Sequence, residues 1–124
     1  MSERKILYVE DNEYNRKIVR QLLKRSACRL IEATDGESGV ALAQQELPDL
    51  ILMDVQLPKM SGLDATRLLT TEAPTRHIPI IVITSYALSG DRERALQAGA
   101  SNYLAKPYSP SELLAMVKQF LPDI

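Results

Sequence analysis

The chain has 124 residues, of which 45% are hydrophobic and 25% charged, and carries a formal net charge of −1. That length suits one domain spanning residues 1–124, and the near-balanced charge excludes a global basic field for nucleic acid or anionic lipid. No apolar run approaches the ~20 residues of a membrane span, and the single cysteine, Cys28, excludes an internal disulfide and suits a reducing, cytoplasmic compartment.

The amino terminus, Met1 to Lys5, leads straight into an apolar run, Ile6–Val9, leaving no room for a signal peptide. From Tyr14 to about Ser26, Ile18, Val19, Leu22 and Leu23 recur at the spacing of one helical face. Arg29 to Ala33 is the weakest of the expected strands. Thr34 and Glu37 have capping-box spacing and open a helix through Val40, Ala41 and Ala43. A second apolar run, Leu50–Met53, precedes a helix signalled by Ser61 and Asp64 and continued by Leu68 and Leu69. Ile80–Ile83 forms the next strand. Asp91 to Ala98 follows as a helix with Gly99 just past its end. After Tyr103–Ala105, the last helix has the clearest start: Ser109 as N-cap, Pro110 at N1 and Glu112 at N3, then a stripe of Leu113, Val117, Phe120 and Leu121. Near-continuous apolar strands alternating with helices imply a parallel sheet covered on both faces.

Four of those strands end on a group suited to phosphate or metal. Ile6–Val9 runs into Glu10 and Asp11, Leu50–Met53 into Asp54, Ile80–Ile83 into Thr84, and Tyr103–Ala105 into Lys106. In a parallel sheet all of them emerge at the carboxyl edge, where open α/β folds place ligand sites. Taken singly, Asp11 and Asp54 read as turn or cap residues, Thr84 as a strand-end β-branched residue and Lys106 as a surface lysine. The set resists that reading, because unrelated strand ends rarely all finish on the right group. His77 reads as a surface residue, and Cys28 as a small buried hydrophobe.

Together, Val9-Glu10-Asp11-Asn12, Leu50 to Asp54, Leu57-Pro58-Lys59-Met60-Ser61-Gly62, Ile83-Thr84-Ser85 and Lys106-Pro107 make the chain resemble the receiver domain of two-component response regulators over essentially its whole length. The Glu10-Asp11-Asn12 version, with the chain ending soon after its last helix, looks like the stand-alone receivers of phosphorelays and cell-fate circuits. The resemblance implies a three-layer (βα)5 flavodoxin-like fold with sheet order 2-1-3-4-5.

By that resemblance Asp54 accepts a phosphoryl group from a phosphohistidine donor, a sensor histidine kinase or histidine phosphotransfer protein. Asp11, Asp54 and the backbone carbonyl of Gln56 would bind Mg²⁺ directly, with Glu10 acting largely through water. Lys106 would pair with Asp54 and then with the phosphoryl oxygens, Thr84 would hydrogen-bond another of them, and Tyr103 would rotate inward as Thr84 moves. Pro107 would follow a cis bond. Gln56 and Tyr86 flank the pocket and would tune phosphate lifetime. The first helix, around Asn15, Ile18, Val19 and Leu22, with the Pro107 loop would dock the kinase. The face from Tyr86 through Tyr103 to the last helix would carry output to a downstream protein or, through Leu114 and Met116, a homodimer. Such a protein is a phosphoacceptor rather than an enzyme with an external substrate. Two other classes compete. A constitutive binding module would have lost the acceptor, a metal ligand or the lysine, and all are present. An aspartyl-phosphate hydrolase needs a second aspartate after the first strand, and Asp11-Asn12-Glu13 lacks that pairing.

Overall fold

Why the apolar runs are continuous follows from their burial: all five residues of β3 (Leu50–Asp54) and all five of β4 (Ile80–Thr84) are buried. The computed structural model describes residues 3–85 and 90–124. The remaining strands are β1 (Arg4–Val9), β2 (Cys28–Ala33) and β5 (Asn102–Ala105), and all five pair in parallel in the order β2-β1-β3-β4-β5. Helices α1 (Glu13–Leu23), α2 (Gly36–Glu46), α3 (Gly62–Thr71), α4 (Asp91–Gln97) and α5 (Pro110–Phe120) separate or follow the strands. The doubly wound sheet expected from the sequence is therefore present, with its weakest strand in place.

Two apolar layers hold the sheet between them. On one face Leu7, Val9, Ile51, Met53, Ile80 and Val82 pack with Val40, Ala43, Ala65, Leu69 and Ala95 of α2, α3 and α4. On the other, Ile6, Tyr8, Leu50, Leu52, Ile81, Ile83 and Leu104 pack with Val19 and Leu23 of α1 and Leu113 and Val117 of α5. The alternation along each strand is the two-residue pleat. Each large aliphatic side chain so enclosed contributes roughly 1.5–3 kcal/mol relative to exposure.

The starts of α1, α2, α3 and α5 each depend on a polar side chain that accepts from an otherwise unpaired N–H group, whereas α4 begins at Gly90 with no side-chain cap. Asn12 caps α1 by accepting from the Asn15 N–H, and Ser61 caps α3 by accepting from that of Asp64. Ser109 opens α5 in a full capping box with Glu112. The start of α2 differs from the sequence expectation: Asp35, not Thr34, is the N-cap and accepts from the Ser38 N–H at 2.8 Å. A carboxylate one residue further on is the stronger acceptor beside a helix N-terminus. Gly99, with φ of 105°, follows the end of α4 as expected.

Candidate functional site

Glu10, Asp54 and Lys106 converge because of strand pleat. Each lies two residues beyond a side chain of the α1/α5 layer, namely Tyr8, Leu52 and Leu104, so each continues that face of the sheet at its carboxyl edge. The Lys106 ammonium donates to Glu10 Oε1 at 2.8 Å and to Asp54 Oδ2 at 3.3 Å. Glu10 and Asp54 are buried, while Asp11 is exposed one residue past Glu10. One carboxylate oxygen from each of Glu10, Asp11 and Asp54 lies within 4.8 Å of the others. A cleft of about 410 Å³ opens over them, lined also by Asn12, Asn15, Gln56, Ser85 and Lys106.

Three carboxylates facing one ammonium leave an uncompensated negative pocket. Burial, with the Glu10 carboxylate next, pushes the Asp54 carboxyl up to about 7, and Lys106 only partly offsets this. Burial also opposes ionisation of Glu10, but the closer Lys106 ammonium overrides it and holds Glu10 below the usual carboxylate range. Burial works against the charge on Lys106 as well, and its two carboxylate partners outweigh that and raise it. Oxygen donors in this number and charge suit a hard divalent cation. The donor set therefore fits the magnesium site expected from the sequence.

Thr84 is buried at the end of β4, one residue beyond Ile83, which is the register partner of Asp54. Its carbonyl accepts the Lys106 N–H at 2.7 Å, tying the lysine's backbone to the strand that carries the hydroxyl. By pleat Thr84 follows Ile80 and Val82, on the face covered by α2, α3 and α4, and Tyr103 is half-buried against the same layer beside Val82. Thr84 and Tyr103, the two residues expected from the resemblance to move together, thus share the face opposite Lys106. The Lys106–Pro107 bond is cis, as the resemblance implied. Gln56 donates its N–H to Asp54 Oδ1 at 3.4 Å, and its side chain accepts from the Ser85 hydroxyl at 2.7 Å. Tyr86 lies outside the described residues.

Two sequence expectations need correction. Val19 is fully buried against the sheet, so it belongs to the core and not to a docking surface, and Leu22 is half-buried against the same layer. The surface beside the acidic cleft is instead a groove of about 400 Å³ lined by Asn15, Ile18, Ser85, Lys106, Pro107 and Tyr108. Cys28 is also less enclosed than expected, half-buried at the start of β2. His77 is exposed, as read from the sequence. The residues missed as site components are Tyr8 and Tyr108, while Asn15, expected on the docking surface, also lines the cleft. Tyr8 had a usable signal, since it stands two residues before Glu10 in a strand and must share its face.

The response regulator receiver domain model matches residues 6–118, and the chain belongs to that family. Among its relatives is the polar-differentiation response regulator DivK of Brucella anthropi, 42% identical over 118 residues that cover 95% of this chain and 96% of DivK. DivK of Brucella ovis matches to the same extent. In structure the chain is similar to the receiver domain of the sensor histidine kinase PA1611 from Pseudomonas aeruginosa, with a TM-score of 0.88, 38% identity and coverage of 98% of this chain and 99% of that one. That receiver has a magnesium ion coordinated in its active-site cleft. Chemotaxis response regulator CheY4 of Vibrio cholerae superposes with a TM-score of 0.89 at 26% identity, over 96% of this chain and 99% of that one.

Proposed function

We propose that this chain is a stand-alone, single-domain response regulator whose interactions are switched by phosphorylation of Asp54. The donor is a phosphohistidine on a sensor histidine kinase or a histidine phosphotransfer protein. An Asp54 carboxylate oxygen attacks phosphorus in line, the P–N bond breaks as the P–O bond forms, and the imidazole leaves and regains its proton. Little covalent help is needed beyond alignment and charge compensation. The observation that carries this reading is a buried aspartate at a strand end with an ammonium at 3.3 Å and two further carboxylates beside it.

Glu10, Asp11, Asp54 and the Gln56 carbonyl would hold Mg²⁺. When bound, that ion supplies the positive charge that lets the anionic phosphoryl group approach an anionic pocket. Lys106 neutralises the phosphoryl oxygens after transfer. Phosphorylation adds about one further negative charge, and the Thr84 hydroxyl is drawn toward it, which frees Tyr103 to turn inward. Output then passes through the α4-β5-α5 face to a downstream protein, or to a second copy of the chain by way of Leu114 and Met116. The donor docks on the groove of Ile18, Pro107 and Tyr108. In this reading the protein works in the cytoplasm and needs neither nucleic acid nor a membrane. Gln56 and Tyr86 set the lifetime of the phosphate.

Incubation with Mg²⁺ and acetyl phosphate tests the reading. Wild type is expected to retain the phosphoryl group and Asp54→Asn to lose it. Equal labelling, or equal signalling by both proteins in cells, would refute it. For self-association the measurement is light scattering, with a mass unchanged by phosphorylation ruling out the dimer.

A further inference from the structure

Glu10 is surrounded by more donors than an ion pair requires. Its Oε1 accepts from the Lys106 ammonium at 2.8 Å, the Tyr8 hydroxyl at 3.2 Å and the Asn15 amide at 3.3 Å, while Oε2 accepts from the Asn12 N–H at 3.3 Å. Tyr8 is fully enclosed in the α1/α5 layer, and a phenol placed there must find a partner for its hydroxyl. That hydroxyl gives its one proton to Glu10. Two neutral donors, the Tyr8 hydroxyl and the Asn15 amide, thus meet on the Glu10 carboxylate beside the lysine. Tyr108 and Asn15 also line the groove beside the cleft.

In the reaction proposed above, Lys106 turns from the carboxylates to the phosphoryl oxygens. Glu10 then loses its shortest contact while remaining buried, and a buried carboxylate stripped of donors is costly. We infer that Tyr8 and Asn15 are positioning residues that hold the Glu10 carboxylate in its metal-facing orientation independently of Lys106. They do so without adding positive charge, so the negative potential that attracts a cation is kept. With Oε1 taken up by these donors, Oε2, which accepts a single N–H from Asn12 at 3.3 Å, keeps a lone pair with which it would meet a metal-bound water. Partners of this kind, bonded to the groups around a metal, commonly govern affinity by tenfold or more.

This inference rests on the magnesium reading of the cleft, and the two fail separately. Calorimetric titration of the unphosphorylated protein with MgCl2 is the measurement. If wild type takes up no magnesium, the underlying reading is wrong. If wild type binds, Tyr8→Phe, which removes only the oxygen, is expected to raise the dissociation constant about tenfold. Phosphorylation by acetyl phosphate should slow at low magnesium and recover to within about twofold at saturating magnesium, a split that simple loss of packing would not produce. Asn15→Ala, at a helix surface position, is expected to weaken binding in the same direction and carries the test should Tyr8→Phe fail to fold. Wild-type magnesium affinity in Tyr8→Phe, or in Asn15→Ala where the first is unfolded, would overturn the assignment.

Discussion

Lys106 is held closer to Glu10, at 2.8 Å, than to Asp54, at 3.3 Å. The lysine therefore spans two carboxylates at rest, and its shorter contact is not with the residue proposed to accept phosphate. Removing it exposes both effects. Lys106→Ala leaves two buried carboxylates without their cation, a change expected to lower metal-free stability by roughly 3 kcal/mol, read as a reduced urea midpoint. Uptake of phosphate on Asp54 in magnesium is expected to survive, because alignment and charge compensation by the metal remain. Phosphate-dependent binding of the downstream partner is expected to be lost. A normal phosphorylated conformation in Lys106→Ala would refute the role assigned to the lysine.

The same crowding makes stability depend on pH in an unusual direction. Burial and then Glu10 push the Asp54 carboxyl up to about 7 in the metal-free protein. Between its ordinary value and about 7 the folded chain binds a proton that the unfolded chain does not. Stability from this group is thus greatest at the acidic side of that window and is lost as pH rises through 7. Glu10, held below the usual range, works the opposite way but only in more acidic solution. In EDTA the urea midpoint is expected to be higher at pH 6 than at pH 8. Asp54→Asn should abolish the difference and stabilise the protein at pH 8 by about 2 kcal/mol. Magnesium should restore wild-type stability at pH 8 by binding the folded state. A midpoint independent of pH in wild type would count against the crowded pocket.

Gly62 shows how the backbone of the strand that carries Asp54 is set. A Cβ built on Gly62 would come 1.9 Å from the Asp54 carbonyl oxygen and 2.9 Å from Val55 Cα. The Gly62 N–H also donates to the Val55 carbonyl at 2.9 Å, so the start of α3 is pressed against the end of β3. Gly62→Ala must displace one or the other. A loss of about 2–3 kcal/mol is expected, with slowed phosphorylation at matched folded fraction because Asp54 moves with its backbone. Wild-type phosphorylation in a folded Gly62→Ala would show that the close approach is not needed.

How far the sequence carried the reading depends on what each conclusion required. The strands were legible because full burial writes itself as uninterrupted Ile, Leu and Val. The convergence of Glu10, Asp54 and Lys106 was legible too, because parallel strands share one carboxyl edge. The start of α2 was misread by one residue, since Thr34 and Asp35 are both good caps and only the backbone geometry selects the second. Val19 reads from the sequence as a surface residue because Ile18 and Val19 are adjacent apolar residues on one helix, and which of them meets the sheet depends on the helix's rotation. The preference of Lys106 for Glu10 over Asp54 is a matter of side-chain conformation at the sheet edge, which residue spacing does not encode. The Tyr8 hydroxyl was overlooked because an aromatic in a buried strand reads as packing.

Lys59 adopts a left-handed conformation, with φ of 69°, in the loop between β3 and α3 that also supplies Gln56. A side chain at positive φ crowds its own carbonyl, at a cost of roughly 1–2 kcal/mol that glycine avoids. Its only ion pair is with Asp35 at 3.8 Å among the described residues, and the lysine is 62% exposed, so that contact contributes little. Lys59→Gly relieves the strain but raises the entropy of the unfolded chain, which offsets part of the gain. The net expectation is a stabilisation of about 0.5–1 kcal/mol, seen as a higher urea midpoint with an unchanged slope. Lys59→Ala keeps a Cβ at the same φ and is expected to gain nothing. A stability gain shared equally by both variants would trace the effect to the lost charge instead of the backbone.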